Sequence, residues 1–446
     1  MKIIHVPHNY YPDPVGGSEI YVDNLSRILI DYGVSSTIIA PADDNYTYEH
    51  NGIEVRRFKV SSGNDDCHNL YKLAKDLEHS GFEDCVLSIK PDIIHLHSSI
   101  LSFANTVINT AARNRIPVIF TYHTPILTCM RGTLLKFGKN ACDGRIDIDT
   151  CSACAINYNG IPVNIAELLI SVSQFAGWLP AKMDLRGGIW TALRMTELVA
   201  KRKNILMEII DRTDCIVALN QWTINLLKIN DVDDNKIKMV RHGINFNIND
   251  YPINVDRNYR KGSILRLVYL GRIVKEKGLE ILLKALATIP DVDLTLDIFG
   301  ITQNSDLKFK NEIQYQASGD KRVRFKQPVK NNEVINVLAG YDILVVPSQW
   351  YETGPLVVLE AYAAGIPVIG SDLGGISEMV ENGQNGILVR YDSIEDWAQK
   401  IKSLANNDKI YRRLKNNVSP PRTTDDVAKE MIDVYNEVLA NKKLSY

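Results

Sequence analysis

The sequence predicts an α/β protein made of two doubly wound domains, and three observations carry that prediction. Short β-branched runs alternate with helix-length amphipathic stretches along almost the whole chain, the pattern of parallel strands covered by helices on both faces. The alternation occurs as two series, separated by a stretch rich in Asn, Asp and Pro at 245–262. A length of 446 residues exceeds what one hydrophobic core ordinarily serves, so two domains are expected.

In the first series, strands are predicted at 2–6, 36–40, 53–58, 92–96, 118–122 and 215–219, with helices such as 17–32 and 101–114 between them. The second series places strands at 265–270, 293–299, 323–326, 343–346, 368–370 and 386–389. The expected organisation is a domain at 1–245, a linker at 246–262, a second domain at 263–420 and a C-terminal segment at 421–446. That segment holds an amphipathic helix at 424–439, after Pro420-Pro421, which is a candidate for return to the first domain. Doubly wound sheets bind ligands beyond the carboxyl ends of their strands, so two facing domains are expected to hold a site in the cleft between them.

Composition excludes several function classes. Hydrophobic residues at 45% and charged residues at 23%, without low-complexity tracts, fit a folded soluble enzyme rather than a disordered chain. A net charge of −2 gives no general attraction to nucleic acid. The N-terminus reads directly as a strand, without the apolar core and cleavage site of an export signal, so a cytoplasmic location is expected. The most apolar segment, 161–180, carries Asn164, Glu167 and Gln174 and is bounded by prolines, which makes it a poor spanning helix. Trp178 and Trp190 stand among Lys182, Arg186, Arg194, Lys201, Arg202 and Lys203; a core helix with a basic outer face is the expectation, and peripheral contact with the cytoplasmic membrane face is the alternative.

The motif richest in chemistry is Glu352-Thr353-Gly354-Pro355-Leu356-Val357-Val358-Leu359-Glu360, two carboxylates seven residues apart where a strand gives way to a helix. Pro355 suits the first helical position, and Gly354 allows close backbone approach before it. The amides of Leu356 and Val357 would then face an anion at the positive end of the helix dipole. Glu352 stands at the mouth of that site, and Glu360 one turn inside could accept hydroxyl hydrogen bonds. Immediately after the strand at 265–270, Arg272 and Lys277 can neutralise a diphosphate where other enzymes use a divalent cation, which predicts no catalytic metal. Gly16-Gly17 forms a glycine turn before the first helix, able to bring backbone amides to a phosphate, and its spacing is not the Gly-x-Gly-x-x-Gly dinucleotide fingerprint. His123 closes the strand at 118–122.

Together these residues resemble the retaining nucleotide-sugar glycosyltransferases of family 4, also called glycosyl transferases group 1, along nearly the whole chain. The resemblance also rests on Leu359-Glu360-Ala361, Gly365-Ile366-Pro367-Val368 and the run Asp372-Leu373-Gly374-Gly375-Ile376-Ser377-Glu378. It implies the GT-B architecture and a hexosyl transfer from a nucleotide diphosphate sugar (UDP or GDP) in polysaccharide, glycolipid or glycoconjugate biosynthesis. The implied acceptor is a sugar, a lipid-linked molecule or a small molecule. Arg272 and Lys277 would bind the donor diphosphate, Glu360 the ribose and Glu352 the transferred sugar, with Gly17 closing on the phosphates and His123 near the anomeric carbon. A front-face route, in which the leaving phosphate oxygen takes the acceptor proton, goes with the family. Two positions depart from the pattern: 297–302 lacks the second glycine of the strand-end turn, and His242 stands where asparagine is common. A nucleotide-sugar epimerase on the same fold and a catalytically silent sugar-binding partner are the alternatives.

Seven cysteines, an odd number in a large chain, favour reduced thiols or a metal site over a disulfide framework. Four of them cluster in an insertion at about 124–160: Cys129, Cys142, Cys151 and Cys154. They form a candidate structural zinc site, with an iron–sulfur cluster and free buried thiols as alternatives. No cofactor is expected for catalysis.

Overall fold

The computed structural model describes residues 1–13, 16–59, 80–97, 101–176, 182–183, 187–247, 264–303 and 306–444. The chain divides into two compact units, Met1–Arg241 with Asp425–Tyr446, and His242–Thr424. Apart from 246–247, the expected linker at 246–262 lies outside the described residues, as do Trp178 and Arg186.

The first unit is built on β1 (Lys2–Val6), β2 (Ser35–Ala42), β3 (Tyr46–His50), β4 (Ile53–Lys59), β5 (Ile93–His97), β6 (Val118–Tyr122), β9 (Cys215–Ala218) and β10 (Ile237–Met239). A short hairpin, β7 (Leu135–Lys136) with β8 (Asn140–Ala141), stands apart from this sheet. The strand order is β10-β9-β6-β5-β1-β2-β4-β3, parallel throughout except for β3. β3 and β10 are additions to the expected six strands. β3 pairs with β4 across Asn51-Gly52, whose φ angles of 50° and 80° are those of a tight two-residue hairpin turn, a conformation these two residue types tolerate best.

Helices α1 (Gly17–Asp31), α2 (Ser80–Ile89), α3 (Leu101–Arg113), α4 (Ile148–Tyr158), α5 (Val163–Ala176), α6 (Gly188–Leu193), α7 (Met195–Arg212) and α8 (Gln221–Ile229) complete the N-terminal part. On one face of the sheet, Ile3, Ile38, Ile93, Ile119 and Val217 pack against Leu25 and Leu29 of α1. On the opposite face Phe58, Phe82 and Phe103 pack ring against ring, at 5.4 to 5.9 Å between centroids. Each such fully buried side chain contributes about 1.5–3 kcal/mol relative to exposure.

The second unit contains β11 (Leu265–Arg272), β12 (Leu294–Ile301), β13 (Val323–Lys326), β14 (Ile343–Val346), β15 (Val368–Ser371) and β16 (Gly386–Val389), in the order β13-β12-β11-β14-β15-β16, all parallel. Between and after these strands run α9 (Leu279–Ala287), α10 (Leu307–Ala317), α11 (Val334–Leu338), α12 (Leu356–Ala363), α13 (Gly374–Met379), α14 (Ile394–Asn406) and α15 (Asp408–Asn416). Alternate residues of one strand serve the two faces: Leu267 packs with Leu282, Trp397 and Ile401, whereas Val268 packs with Val358 and Ile376. All six expected strands of this series are present.

The first unit ends four residues before the expected boundary. Ile244 bridges Thr423, its amide binds the Arg422 carbonyl at 3.1 Å, and its side chain is buried with Ile335 and Ala363. The segment from His242 is therefore held by the second unit.

The last helix, α16 (Thr424–Leu444), packs Val427, Met431 and Tyr435 into the apolar face that also holds α1. The Tyr435 hydroxyl meets His95 Nδ1 at 2.8 Å, and both side chains are fully buried. Tyr435→Phe strands a buried ring nitrogen while keeping the volume, so an unfolding titration should show a loss of about 1–3 kcal/mol. An unchanged midpoint would mean that this hydrogen bond does not anchor the helix.

Candidate active site

In a doubly wound sheet the ligand crevice lies where the strand order reverses, because the loops on either side leave in opposite directions. In the second unit that point falls between β11 and β14. β11 ends on Arg272 and the loop after it carries Lys277, while the loop after β14 carries Glu352, so the fold brings two separately predicted motifs to one place.

The loops touch through their backbones. Gly278 has φ +72°, and a β-carbon there would stand 1.8 Å from the Pro347 carbonyl oxygen, so only glycine fits. Next to this contact the Gln349 amide donates to the Glu276 carbonyl at 2.7 Å. Lys277 Nζ then reaches Glu352 Oε2 at 2.6 Å, with the two side chains 18% and 8% exposed. The Ser348 hydroxyl donates to the other oxygen, Oε1. Behind Glu352, Gly375 donates its amide to the Glu352 carbonyl at 2.6 Å, and a β-carbon on Gly375 would lie 2.7 Å from that oxygen. Main chain and carboxylate are thus both held.

Arg272 ends β11 with its side chain exposed and without an ion pair among the described residues. The Tyr269 hydroxyl fixes its carbonyl at 2.6 Å. Pro355 is not the first helical residue: with φ −67° and ψ 120° it is the N-cap, and α12 begins at Leu356. The physical reason is that a residue with extended ψ turns the chain into the helix, leaving the Leu356 and Val357 amides as first-turn donors without an acceptor one turn back. Gly354 before it has φ +148°, and a β-carbon there would meet His242 Cδ2 at 2.8 Å. His242 is buried, and desolvation holds its pKa near 4, so it is a neutral ring packed against this turn.

Glu360 lies one turn inside α12 and is only partly buried by surface, yet the loss of solvent around its carboxyl pushes its pKa up to about 7. Asp297, in the strand-end turn that departs from the family pattern, is instead engaged structurally by Arg324 at 2.6 Å and the Tyr341 hydroxyl at 2.7 Å.

The other predicted positions belong to the first unit. Gly16 is the N-cap of α1 and Gly17 its first residue. The Gly16 amide is taken by Glu19 Oε2 at 2.7 Å, so the carboxylate of the helix itself partners this donor. His123 follows β6 and is buried, with its Nε2 3.2 Å from His97 Nδ1. Three further histidines, which sequence reasoning did not select, extend this contact. His97 Nε2 meets His5 Nδ1 at 3.0 Å, and His95 Nε2 meets Thr121 Oγ1 at 2.7 Å.

The signal lay in topology rather than pattern: β1 and β5 pair at the reversal point of the first sheet, and His5 is directly opposite His95. Ring nitrogens of His5, His95 and His97 lie within 4.8 Å of one another. They already bond to one another, to Thr121 and to Tyr435, and burial lowers their pKa values, that of His5 to about 3. The arrangement is a neutral hydrogen-bond chain leading to His123.

Cys129, Cys142, Cys151 and Cys154 are free thiols lining one cavity of about 370 Å³ in the insertion after β6.

Comparison with known proteins identifies the family and the fold. The family described as Glycosyl transferases group 1 matches residues 257–419, and Glycosyltransferase Family 4 matches residues 15–146, together more than half of the chain. The chain belongs to the family 4, group 1 glycosyltransferases. Among family relatives, D-inositol 3-phosphate glycosyltransferase of Corynebacterium glutamicum is 28% identical over 255 residues, which cover 53% of this chain and 60% of that protein. A glycosyltransferase of Methanocaldococcus jannaschii is 24% identical over 98% of both chains. Anabaena HepE, solved in complex with UDP and glucose, superposes with a TM-score of 0.63 at 16% identity over 98% of this chain and 100% of its own. The two parallel sheets and these neighbours identify the GT-B fold.

A carboxyl whose folded pKa lies above its unfolded value weakens the fold as pH rises between the two and adds no further slope above the higher one. For Glu360 that window runs from 4.5 to about 7. Glu360→Gln should therefore stabilise the protein at pH 8 relative to pH 4.5, by on the order of 1–3 kcal/mol. Parallel unfolding curves for parent and variant across this range would contradict the assignment.

Proposed function

We propose that this glycosyltransferase moves a hexose from a nucleotide diphosphate sugar to a hydroxyl acceptor, with retention of anomeric configuration and without a catalytic metal. The observation that carries the reading is the Lys277–Glu352 pair beside exposed Arg272, at the reversal point of the second sheet and next to the amino end of α12.

Breaking the bond between the anomeric carbon and the phosphate oxygen leaves the electron pair on the departing diphosphate. Arg272, Lys277 and the first-turn amides of Leu356 and Val357 neutralise that charge, each well-placed donor contributing about 2.7–4 kcal/mol to the transition state. In the front-face route the acceptor hydroxyl bonds to the anomeric carbon while its proton passes to the leaving phosphate oxygen. Glu352 keeps acceptor capacity on both oxygens beyond Lys277 and Ser348, which suits hydroxyls of the transferred sugar. Glu360 as a carboxylate accepts from the ribose. Gly17 approaches the phosphates, and His123, at the end of its histidine chain, positions the sugar or acceptor.

The UDP and glucose bound to HepE make UDP-sugars the first donors to test, ahead of GDP-sugars. The inositol phosphate named for the corynebacterial relative makes a small polyol phosphate a reasonable first acceptor, beside sugars and lipid-linked molecules.

A lipid-linked acceptor or peripheral membrane contact is supported by one surface. Ile165, Leu168 and Val172 lie exposed along one face of α5, which packs against α6 with its exposed Ile189 and Trp190. No helix among the described residues is long and apolar enough to cross a membrane. Flotation with anionic phospholipid vesicles should carry the parent protein, and Leu168→Gln with Trp190→Gln should lower the bound fraction several-fold. Failure of the parent to float would remove this part of the reading.

The decisive assay screens nucleotide sugars for stabilisation of the protein and follows products by mass spectrometry. Lys277→Ala or Glu352→Ala should lower kcat/KM on the order of 10²–10³ with the fold preserved, and EDTA should leave turnover unchanged. Near-parental turnover in both variants would defeat the site, isomerised donor would point to an epimerase, and loss of activity in EDTA would overturn metal independence.

A further inference from the structure

Buried polar side chains of the first unit converge on the segment between β1 and α1. Arg57 of β4, its side chain 2% exposed, donates to the Tyr10 carbonyl at 3.0 Å, to the Pro41 carbonyl at 2.7 Å and to the Asp13 carboxylate. The fully buried Tyr10 donates its hydroxyl to Asp23 Oδ1 on α1 at 2.7 Å, and Asn51 Nδ2 reaches Asp23 Oδ2 at 3.2 Å. A buried guanidinium is tolerated only where it is paired, so these contacts hold the chain as far as Asp13 and hold α1 through Asp23.

The glycine turn itself is held by Glu19. Its Oε2 accepts the Gly16 amide at 2.7 Å, its Oε1 accepts the Ser18 hydroxyl at 3.0 Å, and the residue is buried. Gly16 is extended, with φ −119° and ψ −164°, a conformation open to any residue. What glycine supplies is space: a β-carbon would stand 3.3 Å from Glu19 Oε2, closer than ordinary contact.

Glycine also withholds a side chain. A Ser, Thr, Asp or Asn at this N-cap would accept an amide of the first turn, whereas α1 has no side-chain cap. Only the glutamate half of a reciprocal capping box is therefore formed. Glu19 takes the amide ahead of the helix, and the first-turn amides, beginning with Gly17, have no acceptor within the helix. A carboxylate near a phosphate site repels the ligand, so the two hydrogen bonds are what favours Glu19 at this position.

We propose that Glu19 is a positioning residue for the donor: it holds the Gly16 amide and the Ser18 hydroxyl so that the first-turn amides of α1 stand ready for the sugar-bearing phosphate. The inference rests on the donor reading above and adds to it the residue that sets the geometry of Gly17.

Calorimetric titration of the full chain with UDP, GDP and the matching monophosphates tests it, using whichever diphosphate binds the parent more tightly. Glu19→Gln and Glu19→Ala both remove the charge, and only Gln keeps an oxygen able to accept the Gly16 amide. Glu19→Gln should bind the diphosphate about tenfold more tightly than Glu19→Ala, the factor for one well-made hydrogen bond. The two should bind the monophosphate, which lacks the sugar-bearing phosphate, alike. A purely structural cap would lower the unfolding midpoint of Glu19→Ala and leave the two diphosphate affinities equal, which would overturn the proposal; so would equal differences for mono- and diphosphate. Should Glu19→Ala fail to fold, Glu19→Asp keeps the charge and shortens the reach, and it should bind the diphosphate more weakly than the parent by a similar factor. Lys277→Ala separates this inference from the reading beneath it. If Lys277→Ala loses diphosphate affinity while the Glu19 variants match one another, the donor site stands and the role of Glu19 falls. If Lys277→Ala binds as the parent does, or the parent binds neither diphosphate, the donor reading falls and this inference with it.

Discussion

Gly278 and the Pro347 carbonyl approach too closely to admit a side chain on the glycine, and the candidate active site depends on that contact. It locks the loop leaving β11 against the loop leaving β14, so Lys277 and Glu352, 75 residues apart in sequence, meet as an ion pair. Both are largely withdrawn from water, where an unpaired charge is costly and a paired one is held in place. Gly375 extends the same logic by pressing its backbone onto the Glu352 carbonyl. Three strand-end loops therefore share one backbone-packed platform, and the charged groups stand on it rather than on flexible stems.

The first unit organises its polar interior differently. Its central strands carry histidines where the second unit carries Val and Leu; burial lowers the pKa values of His5, His95 and His97, and they bond to one another, to Thr121 and to Tyr435, leaving His5 Nε2 as a buried nitrogen without a hydrogen-bond partner. The hydrogen bond from His97 to His123 ties the His123 ring to this buried set, which gives His123 a defined orientation. Because Tyr435 belongs to α16, the last helix takes part in that order although it is more than 300 residues away in sequence.

Most strands were legible because a parallel strand buried on both faces must be continuously apolar, as Ile343–Val346 is. Apart from the two-residue strands of the β7–β8 hairpin, the two strands that escaped notice lie at the edges of the first sheet. β3 is half exposed and polar, and β10 is three residues long; neither has the apolar run that marks a central strand. The Asn51-Gly52 turn was a sufficient signal for β3, since few other pairs adopt two successive positive φ values. In the site, Glu352, Glu360, Arg272 and Lys277 could be read from motif spacing. The histidine chain could not, because His5 and His95 become neighbours only through strand register.

The sequence by itself determined the alternation of strands and helices, the two series, the glycines that only close backbone contacts require, and the residue types able to neutralise a diphosphate. These are local properties, written in periodicity and residue chemistry. The tertiary structure decided which of those residues meet: that Lys277 is paired with Glu352, that Glu19 takes the Gly16 amide, that Pro355 caps rather than opens its helix, and that four cysteines converge on one cavity. Pairing and desolvation depend on what lies across space, and a linear pattern carries no distance between its parts.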